Sequence, residues 1–259
     1  MSSPRNAPHS AGAPEKRARI YAEEAELYDI AFGWDVSAEA DWLVERLGQE
    51  CRTVLEPGCG TGRMLAALSE RGLDVSGIDL SEAMVAYGRE RVPAAEVVLA
   101  DMTDFELGRR FDGAFCAIST LGLLGGDGLA RHLEAMARHL QPGARYLVQQ
   151  GLAGDLADLW RSEWDAERDG VRFHVLFEAL GRDADGEQSR SRVEVLSGPR
   201  AGEVVEDLHT TAYWTPDTWR EAIDASPLEQ VACYDGAFPG RPAVELTSGG
   251  YLWHELVAA

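Results

Sequence analysis

The stretch VLEPGCGTGR at residues 54–63 sets three glycines, Gly58, Gly60 and Gly62, between a short apolar run and a helix-like segment. A glycine loop at such a place brings a backbone close to a ligand, because no Cβ stands in the way and positive φ costs little. The spacing is GxGxG, not the GxGxxG of dinucleotide-binding turns. Glu56 lies two residues before the first glycine. Its carboxylate would repel a pyrophosphate and would suit a cationic amine. Two more acids close later apolar runs: Asp79 ends VSGID and Asp101 ends VVLAD. In open α/β sheets ligands bind at the carboxyl ends of strands. Asp79 is placed for a ribose diol, as an acid about 20 residues after the loop usually is. Asp101 can accept the exocyclic amine of an adenine, and Met102 can pack on the ring face. Together these residues suit a ligand with an amine, a ribose and an adenine, and no phosphate.

Such positions require alternating strands and helices. YAEEAELYDI and SAEADWLVERLG read as helical, the second with Ser37 as N-cap. TVLEP, DVSGIDL, AEVVLAD, FDGAFCAI and ARYLVQQ read as buried strands. Between them lie three helices: TGRMLAALSERG closed by Gly72, SEAMVAYGRERV capped by Ser81, and DGLARHLEAMARHLQPG ended by its Pro-Gly turn. The alternation predicts a parallel sheet with helices on both faces. After Gly151 the rhythm changes. VRFHVLFEALG, QSRSRVEVLSG and EVVEDLHTTAYW read as three antiparallel strands joined by RDADGE and GPRAG. TPDTWREAIDAS follows as a helix with a Thr cap and Pro at its first position. EQVACYDG and GYLWHELV read as two closing strands. The predicted organisation is a tail over 1–19, a ligand-binding domain over 20–152 plus 215–259, and an antiparallel insertion over 153–214.

The net charge is −20, and no basic stripe is present, which excludes nucleic acid and acidic membranes as expected partners. No apolar run approaches the ~20 residues of a membrane span. The N-terminal tail lacks the apolar core of a secretory signal. Cys51, Cys59, Cys116 and Cys233 form no CxxC pair and stand beside no histidine cluster. No metal site is expected, the thiols read as structural, and the compartment as reducing and cytoplasmic.

S-adenosylmethionine carries the amine, ribose and adenine that the acids suit. The ordered stretches LEPGCGTG, GIDLSEAM, LADMTDF, FDGAFCAISTLGLL and LQPGARYLV resemble the class I S-adenosylmethionine-dependent methyltransferases over residues 50–150. The resemblance implies a Rossmann-like α/β fold. Its sheet has seven strands in order 3-2-1-4-5-7-6, with the last strand antiparallel and a β meander inserted after strand 5. It also implies S-adenosylmethionine as cofactor, with Glu56, Gly58, Cys59, Gly60 and Gly62 at the methionyl part. Asp79, with Leu80 and Met84, would lie at the ribose, Asp101 and Met102 at the adenine, and Cys116 to Thr120 facing cofactor and substrate. YAEEAELYDIAFGW resembles a subgroup acting on small molecules, including sugar amine N-methyltransferases of antibiotic pathways. In that subgroup this segment folds over the cofactor, which implies Tyr21 and Tyr28 in the site. The subgroup often forms dimers, so a homodimer is a candidate assembly.

Methyl transfer is an in-line displacement in which alignment does most of the work. A hydroxyl acceptor needs a general base, and a neutral amine much less so. The expected acceptor is an N or O atom of a small molecule, an aminosugar or natural-product intermediate among the candidates. His209, His174 and Tyr213 lie on the meander strands and are the candidate catalytic residues, His209 first. A protein methyltransferase and an NAD-binding oxidoreductase are the alternatives.

Overall fold

The computed structural model describes residues 18–154, 157, 159–183, 185–236 and 250–259. The apolar runs around the glycine loop become neighbouring parallel strands, β1 (Thr53–Pro57) and β2 (Asp74–Asp79), joined by α4 (Arg63–Ser69). Helices α1 (Arg19–Ala22), α2 (Ala25–Ala31) and α3 (Ser37–Leu47) precede them. After β2 come α5 (Glu82–Arg91), β3 (Glu96–Leu99), β4 (Phe111–Cys116), a 3-10 turn Thr120–Leu123, α6 (Gly128–His139) and β5 (Leu140–Leu152). Four antiparallel strands follow: β6 (Arg161–Arg168), β7 (Val171–Asp183), β8 (Gly186–Val195) and β9 (Val204–Thr211). The chain then forms α7 (Pro216–Asp224), β10 (Leu228–Asp235) and β11 (Gly250–Ala258).

The main sheet has seven strands in order β10-β11-β5-β4-β1-β2-β3. β11 runs antiparallel to both neighbours, as the resemblance implies for the last strand. One face packs α6 and α7 over Phe111, Leu133, Tyr146 and Trp219. The other packs α3, α4 and α5 over Leu43, Leu65, Phe115 and Trp253. β6 to β9 form a second sheet of four strands, whose apolar face covers α1 and α2 through Phe173, Val175, Phe177 and Val193.

Several local readings change. The insertion has one strand more than the three predicted. β6 reads RSEWDAER, and its charges alternate with Ser162, Trp164 and Ala166 as befits an edge. The first helical stretch is broken into α1 and α2 at Glu23–Glu24. At α3 the capping carboxylate is Asp35, whose Oδ1 accepts the Ser37 N–H at 2.9 Å and hydroxyl at 2.6 Å. Gln141, Pro142 and Gly143 do not separate helix from strand. They sit in an irregular start of β5, where the register jumps from Phe111↔Leu140 to Gly113↔Arg145. Ser81 and Thr215 cap α5 and α7 as predicted, accepting from Met84 and Thr218. Residues 1–17 of the expected tail lie outside the described residues. Ala18 is buried, and Arg19 opens α1 with its N–H on Asp207 at 2.8 Å, so both belong to the fold.

Candidate functional site

The glycine loop leaves β1 with Gly58 at φ +69° and Gly60 at φ +52°. The Gly58 and Cys59 N–H groups donate to Ile78 at 2.8 and 3.0 Å, which seats the loop against the end of β2. A Cβ on Gly58 would stand 2.5 Å from Thr120 Cγ2, and one on Gly60 3.4 Å from the Tyr28 ring. Only glycine keeps this approach open. Asp79 locks the arrangement: Oδ2 accepts Gly60 N–H and Oδ1 accepts Ser81 N–H, both at 2.9 Å. At the end of β3, Asp101 Oδ1 accepts both the N–H and the hydroxyl of Thr103 at 2.8 Å.

These groups face a cavity of about 1500 Å³ between the strand ends of the main sheet, the helices α1 and α2, and the inner face of the second sheet. Tyr21, Tyr28, Gly58, Gly60, Asp79, Leu80, Met84, Asp101 and Met102 all line it. Glu56, Cys59, Gly62 and Cys116 do not; they form the layer behind the wall. Glu56 Oε2 is buried with no hydrogen-bond partner among the described residues. Burial, with Asp79 and Glu39 nearby and Arg63 only partly opposing, holds its carboxyl well above the usual range. Burial likewise pushes the Cys116 thiol up to about 12 and the Cys51 and Cys233 thiols to about 11, which removes them as nucleophiles. The Tyr21 and Tyr28 phenols are raised by burial as well.

The three candidate catalytic residues separate. His209 lines the cavity, its ring edge-on to Tyr21 at 5.9 Å between centroids. Tyr213 lines it too, beneath the Arg182 guanidinium at 5.6 Å. His174 is a correction: it lies on the outer face of β7, with Nδ1 2.8 Å from Asp165 Oδ1, and is not at the cavity. The period of two decides this. Phe173, Val175 and Phe177 point inward, so His174 and Glu178 point out.

Of the stretch Cys116 to Thr120 that the resemblance implies at the site, Ile118, Ser119 and Thr120 line the cavity, whereas the contribution of the second sheet's wall was largely missed. Ile118 and Ser119 after β4 both hold positive φ, 49° and 54°, which is a strained conformation for a β-branched residue. Gln149 pins them, its Oε1 accepting Ile118 N–H at 2.8 Å and its carbonyl accepting Ser119 N–H at 2.9 Å. The second sheet adds Trp160, Trp164, Phe177, Arg182, Glu187 and Ser189. Asp29, next to Tyr28, is buried and takes Arg91, Arg168, Tyr87 and Thr61 together. The acid was visible in YDIAFGW, but its partners are 32 to 139 residues away.

Among the described residues no cluster of His, Cys, Asp and Glu could hold a metal ion, and no helix is long and apolar enough to cross a membrane. A family model described as a methyltransferase domain matches residues 54–143. The dTDP-3-amino-3,6-dideoxy-alpha-D-glucopyranose N,N-dimethyltransferase of Streptomyces fradiae is 38% identical over 124 residues, 46% of this chain and 49% of that protein. The dTDP-3-amino-3,4,6-trideoxy-alpha-D-glucopyranose N,N-dimethyltransferase of Streptomyces venezuelae is 35% identical over 108 residues, 39% and 46% of the two chains. The chain thus spans about half the length of the curated relatives it matches. Among solved structures, Streptomyces venezuelae DesVI superposes with a TM-score of 0.76 at 25% identity, over 92% of this chain and 99% of that one. CalS10, an amino pentose methyltransferase from Micromonospora echinaspora solved with S-adenosylmethionine bound, gives a TM-score of 0.73 at 22% identity, over 90% and 97%. Residues 54–143 thus match a methyltransferase domain, and in sequence and fold the chain resembles the class I S-adenosylmethionine-dependent methyltransferases, the sugar amine N-methyltransferases among them.

Proposed function

We propose that the protein transfers a methyl group from S-adenosylmethionine to an amine nitrogen of a small molecule. The observation that carries this reading is one cavity that joins the Gly58–Gly60 turn, Asp79 and Asp101 on one side to an aromatic and polar wall on the other. The residues fit the cofactor. A Cβ at Gly58 would fill the cradle, the buried Glu56 carboxyl lacks a partner, and the acids suit a cation better than a phosphate. When bound, S-adenosylmethionine supplies an electrophilic methyl group on a sulfonium centre.

The chain's own residues bind and orient. Asp79 holds the Gly60 and Ser81 N–H groups and faces the cavity, where its carboxylate is placed for a ribose diol. Asp101 accepts both Thr103 bonds on one oxygen, so its other oxygen is suited to an exocyclic amine. Met102, Leu80 and Met84 supply apolar contact, and Tyr21 and Tyr28 close the cavity from the helical side. A neutral amine brings its own lone pair, so positioning carries more of the rate than proton transfer. His209 is the wall residue suited to hold a proton there, with Tyr213 beside the acceptor. Residues 20–152 with 215–259 are read as the cofactor domain and 153–214 as the cap of the acceptor pocket. The charge of −20 supports a small-molecule rather than a nucleic-acid partner, and the four buried free thiols support a cytoplasmic location. A homodimer is the assembly to test by light scattering. The relatives named above act on amines by their names, which does not favour the oxidoreductase or protein-acceptor readings.

Calorimetry should detect S-adenosylmethionine binding, weakened by about tenfold or more in Asp79→Ala because the loop and the diol both lose their acceptor. Labelled methyl transfer into a panel of small amines should follow. Binding of NAD with none of S-adenosylmethionine would sink the reading.

A further inference from the structure

We propose that the Ile118 backbone carbonyl receives the N–H of the acceptor amine, and that Gln149 is the positioning residue that aims it. The proposal rests on the methyl-transfer reading and deepens it: the acceptor is a primary or secondary amine, and transfer stops once its nitrogen has no N–H left.

Ile118 and Ser119 are consecutive, neither is glycine, and both hold positive φ. Such a backbone persists only where its surroundings over-determine it. Here Gln149 does so from behind the wall, buried and outside the cavity lining. Its Oε1 accepts Ile118 N–H at 2.8 Å, and its carbonyl accepts Ser119 N–H at 2.9 Å. Its Nε2 is tied to the Gly236 carbonyl at 2.8 Å, which fixes the side chain from the far end. The Ser119 hydroxyl adds a bond from Gly151 N–H at 3.0 Å. In a planar trans peptide the C=O and N–H point in opposite directions. Ser119 N–H is aimed at Gln149 on β5, so the Ile118 C=O of the same peptide is aimed away from β5. The strand order β5-β4-β1 puts the glycine turn on that side. Thr120, the next residue, closes on that turn, its methyl 2.5 Å from the Cβ position of Gly58. The Ala117 carbonyl is already taken by the N–H and hydroxyl of Thr120, at 3.2 and 2.8 Å. Among the described residues the Ile118 oxygen accepts no hydrogen bond, and Ile118 lines the cavity.

The chemistry of the acceptor follows from what a carbonyl can do. It accepts a hydrogen bond and gives none. A primary or secondary amine can place an N–H on it and keep its lone pair free for attack. The nitrogen lone pair then forms the new N–C bond while the C–S bond breaks, with its electron pair left on sulfur. Positive charge arises on nitrogen, and the N–H bond to the carbonyl becomes charge-assisted and stronger. The contact is therefore tighter in the transition state than in the ground state, which is the condition for raising kcat. The ammonium proton leaves afterwards to solvent water. A hydroxyl must lose its proton during attack, and a carbonyl is no base for it. A neutral tertiary amine has no N–H to offer.

The probe is an aminodeoxyglucose, free and as its nucleoside-diphosphate ester, each with its N-methyl, N,N-dimethyl and hydroxyl counterparts. Wild type should methylate the primary and N-methyl forms, and the dimethyl and hydroxyl forms about 100-fold more slowly or worse in kcat/KM. Gln149→Met keeps the side-chain length and loses both side-chain bonds. It should lower kcat by about tenfold or more, with the S-adenosylmethionine Kd, read by calorimetry, within about twofold. Adding Ile118→Gly to that variant lets the turn hold positive φ unaided. It should return kcat by about threefold or more, which a merely structural role for Gln149 would not do. A wild type that quaternises the dimethyl form as fast as it methylates the others overturns the proposal. So does an unchanged kcat in Gln149→Met, or a double variant no better than Gln149→Met. If Gln149→Met does not fold, the wild-type series decides. A wild type that binds S-adenosylmethionine yet methylates none of the amines strikes the amine reading together with the proposal. One that binds no S-adenosylmethionine strikes methyl transfer itself.

Discussion

At the scale of single residues the site depends on what is absent as much as on what is present. Gly58 has both a left-handed backbone and a neighbour at 2.5 Å from any Cβ. Gly58→Ala therefore combines a conformational cost of about 1–2 kcal/mol with a clash against Thr120. Since Thr120 sits at the cavity wall, relief of the clash should displace that wall. Cofactor affinity, read by calorimetry, should fall by about tenfold or more, and thermal unfolding should shift down as well. Gly143, open to solvent with nothing near its Cβ position, offers the control: Gly143→Ala should leave the affinity unchanged. The strained pair Ile118 and Ser119 is a different device, a backbone held out of its preferred region by Gln149 at the wall of the same cavity.

At the scale of elements the N-terminal helices are held by one carboxylate. Asp29 of α2 pairs with Arg91 of α5 at 2.6 Å and Arg168 of β6 at 2.8 Å. It also accepts the hydroxyls of Thr61 at 2.8 Å and Tyr87 at 2.9 Å. Glycine loop, helix and second sheet thus meet on a single residue next to Tyr28. Burial would raise its carboxyl, but the bonds from Arg91, Thr61 and Tyr87 hold it below the usual range. Asp29→Asn leaves two arginines facing a neutral amide and should cost about 3–5 kcal/mol in urea unfolding at neutral pH. The folded carboxyl titrates below the ~3.9 of the unfolded chain, so this contribution is complete above that value and lost as pH falls through the folded one. The gap between wild type and variant should accordingly close in acid, and a gap independent of pH would refute the assignment.

At the scale of the whole molecule, two buried histidines set a pH dependence. His132 bridges the Met102 carbonyl at 2.9 Å and the Tyr146 hydroxyl at 2.7 Å, and His254 lies between Gln150 and Cys233. Burial pushes both down to about 4, with the Met102 and Gln150 carbonyls opposing. In the unfolded chain each imidazole takes a proton near pH ~6.5, while in the fold it does not until about pH 4. Protons therefore favour the unfolded chain between those values, and stability falls as pH drops through them. Each histidine contributes on the order of 3 kcal/mol above that window. Glu56 works the other way: its raised carboxyl loses stability as pH rises. Urea unfolding at a series of pH values should show a shallower fall for His132→Gln than for wild type, and a steeper one for Glu56→Gln.

The order of the seven strands and the antiparallel closing strand came from the resemblance, while period and spacing alone determined the alternation of strands and helices and the acids at the ends of β2 and β3. These features are local: buried strands read as apolar runs, and an acid that ends such a run lies at the strand's carboxyl end. The site was legible to the same extent, and Asp79, Asp101, Met102 and the glycines of the turn are where the alternation puts them. Other features belong to the tertiary structure. Alternation groups His174 with one face and His209 with the other, but only the packing of the second sheet on α1 and α2 says which face is inside. β6 is charged along its length because it is an edge, so no apolar run announces it. A bulge between Ala179 and Gly181 sets Arg182 opposite Glu187 and inverts the parity on which a sequence reading depends. Asp29 and its partners meet across 32 to 139 residues of chain, distances that only folding closes.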